Sequence, residues 1–168
     1  VETGQGAYLF DCGSTSRKNI GEYVLKPYLK SRGISSLRGV FVSHPDEDHM
    51  NGVLELMENG EEWGITAEQL FLPAIRESFE QLLAAAEDAG IPVSYIKCGD
   101  EIRDSQLRLL CLHPEENTTL ADANAYSECF YVEVFAKKMK QEAIDDRKAN
   151  DASGASAIGK ISILLTGD

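Results

Sequence analysis

Two imidazoles and three carboxylates crowd the run Ser43-His44-Pro45-Asp46-Glu47-Asp48-His49. That mixture of nitrogen and hard oxygen donors is what a divalent cation takes. A pair of such ions a few ångströms apart can share one water, lower its pKa and neutralise charge on a phosphodiester under attack. Helix capping is the competing reading, since Asp46, Glu47 or Asp48 alone could serve free amide groups and the helix dipole. One aspartate would suffice for that. Capping leaves unexplained why two of the chain's three histidines bracket the acids.

The elements around the run must present it. Residues 39–43, Gly-Val-Phe-Val-Ser, read as a buried strand, and residues 51–59 read as a short helix with Val53, Leu54, Leu56 and Met57 on its apolar side. The cluster then sits on a strand-to-helix loop. Pro45 biases His44 toward an extended backbone, in which His44, Asp46 and Asp48 point the same way and converge, while His49 enters from the start of the helix.

Upstream, residues 7–10 form a strand ending in Asp11-Cys12-Gly13-Ser14, a turn tolerant of unusual backbone angles. Residues 19–32 predict an amphipathic helix with Ile20, Tyr23, Val24 and Leu29 inward, a kink or shortening at Pro27, and Gly33 as its stop. Downstream, a strand at 69–72, a helix at 74–89 stopped by Gly90, and strands at 92–97, 106–113, 128–135 and 160–166 complete an α/β pattern. Residues 137–159 turn to Lys, Asp, Ala, Ser and Gly and read as a mobile insertion, whose first part, 136–150, could form an exposed helix.

The chain of 168 residues, 43% hydrophobic, suits one domain with a core. No stretch reaches the length of a membrane span. Residues 1–6 run straight into the strand at 7–10, as if a first strand had been removed, and the chain stops just after the apolar run 161–165, so a fragment of a longer protein is expected. The net charge of −12 is uneven, running +3 over residues 1–40, −15 over 41–130 and zero thereafter. A broad basic face for nucleic acid is therefore missing, although Arg17, Lys18, Lys26, Lys30, Arg32 and Arg38 could form a local patch. Cys12, Cys98, Cys111 and Cys129 lack the paired spacing of a thiolate zinc site.

Four stretches, in order, resemble the metallo-β-lactamase fold superfamily, and within it the hydrolase-like domain of ComEC-type competence proteins. They are residues 6–13 (Gly-Ala-Tyr-Leu-Phe-Asp-Cys-Gly), 24–34 (Val-Leu-Lys-Pro-Tyr-Leu-Lys-Ser-Arg-Gly-Ile), 43–49, and 164–168 (Leu-Leu-Thr-Gly-Asp). The resemblance implies an αββα sandwich, incomplete here, with its first strand and C-terminal part missing. It implies two divalent metal ions, manganese or zinc with magnesium as a further option. His44, Asp48 and His49 match the first, third and fourth ligands of the superfamily's His-x-His-x-Asp-His motif. Asp46 stands at the second, where a carboxylate hardens the site toward manganese or magnesium.

Asp168 matches the family's bridging aspartate, and Asp48 would orient the attacking water. Asn124 and Ser127 fall where many members carry a further histidine; His113 lies before Pro114, where a structural role is the simpler reading. A last histidine ligand would fall beyond Asp168. In function, the resemblance implies a phosphodiesterase or nuclease acting on incoming DNA, beside the transmembrane channel part of the same protein and on the extracytoplasmic side of the cell membrane. The same fold also serves small ester and phosphodiester hydrolysis, and a non-catalytic binding or gating module of a DNA transporter is the third expectation.

Overall fold

The computed structural model describes residues 1–4, 6–74, 79–115, 128–136 and 159–166. Its first sheet is largely parallel. Strands β1 (Glu2–Thr3), β2 (Gly6–Phe10), β3 (Ser36–Phe41), β4 (Thr66–Ala67), β5 (Leu70–Pro73) and β6 (Val93–Ile96) form it. The order is β1-β2-β3-β5-β6, with β4 on the same edge of β3 as β5. The second sheet is antiparallel, in the order β10-β9-β8-β7, from β7 (Glu101–Arg103), β8 (Leu107–His113), β9 (Cys129–Ala136) and β10 (Gly159–Thr166).

Alternation along β3 explains the layering. Val40 and Val42 face one way, into a core shared with the helices, where they join Leu25, Leu29, Val53, Leu56, Leu70 and Leu82. Phe41 faces the other way, into a second core with Tyr8, Leu107, Leu109, Phe130 and Val132 between the sheets. Both faces of β3 are thus covered, which is why residues 39–42, Gly-Val-Phe-Val, carry no polar side chain. The described residues build helix, sheet and sheet layers, the larger part of the expected sandwich.

The helices differ from expectation in instructive ways. Around Pro27 the chain forms a π-helical turn, Gly21–Leu25, that passes into α1 (Lys26–Ser31) with the proline at its beginning, where a missing amide costs nothing. The wider turn rotates the face. Leu25 and Leu29 are buried, but Tyr23 and Val24, expected inward, stand 67% and 39% exposed. Gly33, at φ 69°, ends the segment as expected.

Helix α2 (Glu47–Trp63) begins four residues earlier and ends four later than residues 51–59. Asp46 is its N-cap and Glu47 and Asp48 lie in the first turn, where the dipole favours them. Residues 43–45 bend, and Asp46 at the N-cap is extended. Asp48 is already helical and exposed, and its convergence with His44 and Asp46 by strand alternation does not occur.

Helix α3 (Glu80–Asp88) occupies the second half of the predicted 74–89 span; residues 75–78 lie outside the described set. So do 137–158, nearly all of the predicted insertion, along with Asn124, Ser127 and Asp168. The small strands β1, β4 and β7 were too short to stand out in the sequence. No helix among the described residues is long and apolar enough to cross a membrane.

Candidate metal centre

The β2–α1 loop and the start of α2 are stitched together. Cys12 N–H donates to the His49 carbonyl at 2.8 Å, and Gly52 N–H donates to the Cys12 carbonyl at 2.9 Å. Asn51 makes a two-way clamp with Ser14, accepting from its N–H at 3.1 Å and donating to its carbonyl at 2.8 Å. The approach is close enough to require glycine at position 13. A Cβ there would lie 2.4 Å from the Asp48 carbonyl carbon and 2.6 Å from the Glu47 oxygen, both backbone atoms. Gly13→Ala should therefore cost about 1–3 kcal/mol, the usual penalty for forcing extra volume into a packed site. Urea unfolding of the variant checks this, and a loss under about 0.5 kcal/mol would refute the tight approach.

Asp11 holds the centre from beneath. It sits in the left-handed region at φ 45°, a conformation that aspartate tolerates better than most residues. Ser43 donates to it twice, from N–H to Oδ1 and from Oγ to Oδ2, both at 2.7 Å. His49 Nδ1 lies 3.1 Å from Asp11 Oδ2 and 3.4 Å from Ser43 Oγ. His44 Nδ1 lies 3.0 Å from Ser43 Oγ.

These distances decide the histidine tautomers. A carboxylate only accepts, so His49 must carry its proton on Nδ1 and donate to Asp11. The hydroxyl proton of Ser43 is committed to Asp11, so Ser43 Oγ accepts from His44 Nδ1 as well. Both imidazoles are thereby anchored through Nδ1, the arrangement of a metal-binding histidine that turns Nε2 toward an ion. The two rings stand 3.8 Å apart between centroids, tilted by 47°.

Asp46 settles the capping question for its own side chain. It occupies the N-cap position without a side-chain capping bond, and its Oδ2 lies 3.4 Å from His44 Nε2. Two donors each about 2.1 Å from one tetrahedral ion are about 3.4 Å apart. His44 is 1% exposed while Asp46 is half exposed, so the pair opens toward solvent. In type and tautomer these donors fit a divalent cation. Among the described residues, however, no three His, Cys, Asp or Glu side chains form a group able to hold one.

His113 ends β8, paired with Cys129 across the ladder. Asp11 and Glu128 are the residues that sequence reading passed over. For Asp11 the signal was its place at a strand end before Cys12-Gly13. Glu128 precedes β9, is 2% exposed, and among the described residues has no hydrogen-bond partner for either carboxyl oxygen. Burial, and secondarily the charge of Asp11, pushes its carboxyl well above the usual carboxylate range. Burial likewise raises the Cys12 thiol to about 11, which keeps it protonated and inert beside the centre at neutral pH.

A buried strand, a helix N-terminus and two imidazoles anchored through Nδ1 make up the candidate centre. Residues 1–96 match the model of the metallo-beta-lactamase superfamily, and the chain belongs to that superfamily. Over 97 residues it is 28% identical to ComE operon protein 3 of Bacillus subtilis (strain 168), a match covering 58% of this chain and 12% of that protein. The chain thus spans about an eighth of this relative's length. Among solved structures, it resembles a metallo-beta-lactamase HARLDQ motif mutant from Cronobacter sakazakii, with 15% identity and TM-score 0.48, covering 79% of this chain and 49% of that one. A metallo-beta-lactamase from Hirschia baltica gives 17% identity and TM-score 0.41, covering 79% and 51%.

Proposed function

We propose that this domain is a metal-dependent phosphodiesterase acting on DNA within a membrane-bound DNA-uptake protein. The observation that carries the reading is the pair of imidazoles fixed through Asp11 and Ser43, with Asp46 3.4 Å from His44 Nε2. His44, Asp46, Asp48, His49 and Asp168 would hold two divalent ions, manganese or zinc with magnesium as a further option. Bound there, the ions would activate a water and offset charge on the phosphodiester.

The chain's own residues supply the rest. Asp46 adds a hard oxygen donor beside the imidazoles and turns the centre toward manganese. Asp48, exposed in the first turn of α2, accepts a hydrogen bond from the attacking water and so aims it. Arg17 and Lys18 are exposed on the loop that the Ser14–Asn51 clamp fixes to α2, which places cationic groups on a segment anchored beside the centre. They offset, for an anionic strand, the acidity of residues 41–130. In the full-length protein the partners are the incoming DNA and the transmembrane channel portion, with the domain on the extracytoplasmic side.

The test is cleavage of single-stranded DNA by the full-length protein with manganese. Asp48→Ala should slow it by about 100-fold or more, the usual scale for losing a group that handles the attacking water. Undiminished cleavage would sink the assignment. A small ester cleaved in place of DNA would keep the hydrolase and change its substrate. The absence of a three-donor group among the described residues favours a second reading, a non-catalytic gating module. Calorimetry showing no uptake of manganese or zinc would select it.

A further inference from the structure

Residues 17–32 carry Arg17, Lys18, Lys26, Lys30 and Arg32 against the single acid Glu22, a net charge of +4 in a chain whose total is −12. An anion meets least repulsion here. The same stretch holds Tyr23, Val24 and Tyr28, which are 67%, 39% and 55% exposed, and among the described residues every other large apolar side chain so exposed lies on a strand. The π-turn sets the rings outside. Leu25 and Leu29 take the core, and Tyr23, Val24, Pro27 and Tyr28 are left together on the exposed side.

Two of the cations are already engaged. Lys26 Nζ lies 5.2 Å from the centroid of the Trp63 ring, and Arg32 makes a two-point pair with Glu2 at 3.0 and 2.9 Å. Arg17, Lys18 and Lys30 are exposed and bracket the two tyrosines along the chain. Cations flanking a pair of open rings suit a single strand of nucleic acid, because its phosphates meet the charges and its unpaired bases stack on the aromatic faces. A duplex hides those base faces in its own stack. A helix lying in a membrane surface needs a broad apolar face, and here the leucines are turned inward, with only Val24 and Pro27 between the rings.

The segment is also fixed relative to the centre. Glu22 N–H donates to Glu55 Oε2 at 3.0 Å, and a Cβ on Gly21 would lie 2.6 Å from Glu55 Cβ, so the π-turn is seated on α2. Glu55 is nine residues past the Asp46 N-cap, about 14 Å along that helix. We propose that Tyr23 and Tyr28 form a stacking platform for single-stranded DNA, with Arg17, Lys18 and Lys30 taking its phosphates a few nucleotides from His44 and His49. The platform selects strandedness and not sequence, since every base has a face to stack. That the strand is DNA and is cut rests on the function proposed above; the preference for a single strand does not.

The test is photocross-linking in EDTA, which holds cleavage off, between the full-length protein and an oligothymidylate of about 20 nucleotides carrying iododeoxyuridine, longer than the usual site of one such platform. Cross-links mapped by mass spectrometry should fall on Tyr23 and Tyr28. In Tyr23→Ala, cross-linking of Tyr28 should half-saturate at about tenfold higher oligonucleotide, the loss expected for one stacked base, and in Tyr23→Phe within about twofold of wild type. Tyr23 lies outside the core, so neither variant should disturb the fold. A duplex of the same length should compete about tenfold less well than the single strand. Lys30→Gln should flatten the slope of log affinity against log salt by about 0.7.

Cross-links only at other residues, an unchanged half-saturation in Tyr23→Ala, or equal competition by duplex would overturn the proposal. So would shielding of the tyrosines by vesicles of phosphatidylcholine and phosphatidylserine with no cross-link to DNA, which would make this a membrane-facing surface. Tyrosine cross-links in a protein that cleaves no DNA with manganese would leave the platform standing and remove the proposed function. Cleavage without those cross-links would do the reverse.

Discussion

Asp11→Asn should weaken manganese binding by about 10- to 100-fold, although Asp11 is not among the proposed ligands. The reason is a tautomer. Asp11 Oδ2 accepts from both Ser43 Oγ and His49 Nδ1, and an asparagine oriented to keep the Ser43 N–H bond presents an NH₂ group to both of them. His49 Nδ1 must then become the acceptor, its proton moves to Nε2, and the nitrogen that should meet the metal is blocked. Flipping the amide restores that oxygen but opposes NH₂ to the Ser43 N–H, leaving a buried donor unpaired at a cost of about 1–3 kcal/mol. Neither orientation satisfies every partner. Calorimetry checks the affinity and urea unfolding the fold. Manganese binding within twofold of wild type would show that Asp11 does not govern the His49 tautomer.

Much of this centre was legible in the residues because its core is local. His44, Asp46 and His49 lie within one strand-loop-helix, and a cluster of that composition has few other uses. What stayed hidden depends on distance along the chain. Asp11 reaches Ser43 across 32 positions, and no spacing rule connects them. Glu128 reads as the polar start of a strand, since nothing local shows that its side chain turns into the space between two sheets. The helix end was hidden differently. Gly60 weakens the helical pattern just where the reading of residues 51–59 stops, yet glycine is needed there, because a Cβ would lie 2.6 Å from the Ile65 carbonyl oxygen. Helix propensity points away from a helix at the point where packing demands a small residue. Tyr23 and Val24 failed for a third reason: helical spacing assumes 3.6 residues per turn, and the π-turn ahead of Pro27 breaks that phase.

The largest effect on stability should come from Phe41→Ala. Phe41 is 1% exposed and is stacked between Phe10 and Phe71, at centroid distances of 4.5 and 4.6 Å, with Phe130 edge-on at 5.2 Å. Those four rings come from β2, β3, β5 and β9, so one side chain ties three strands of the first sheet to the second. Removing a buried ring costs about 3–5 kcal/mol through lost transfer energy and the cavity left behind. That is a large share of the 5–15 kcal/mol that usually separates folded from unfolded domains. The damage should also reach the centre, because Phe41 stands two residues before Ser43 and its carbonyl accepts the Asp11 N–H at 2.9 Å. Phe41→Leu, which refills most of the volume, should lose much less. Urea unfolding of both variants measures the difference. A loss below about 1.5 kcal/mol for Phe41→Ala would mean that the sheets close over the gap, and that the aromatic stack is not what joins them beneath His44 and His49.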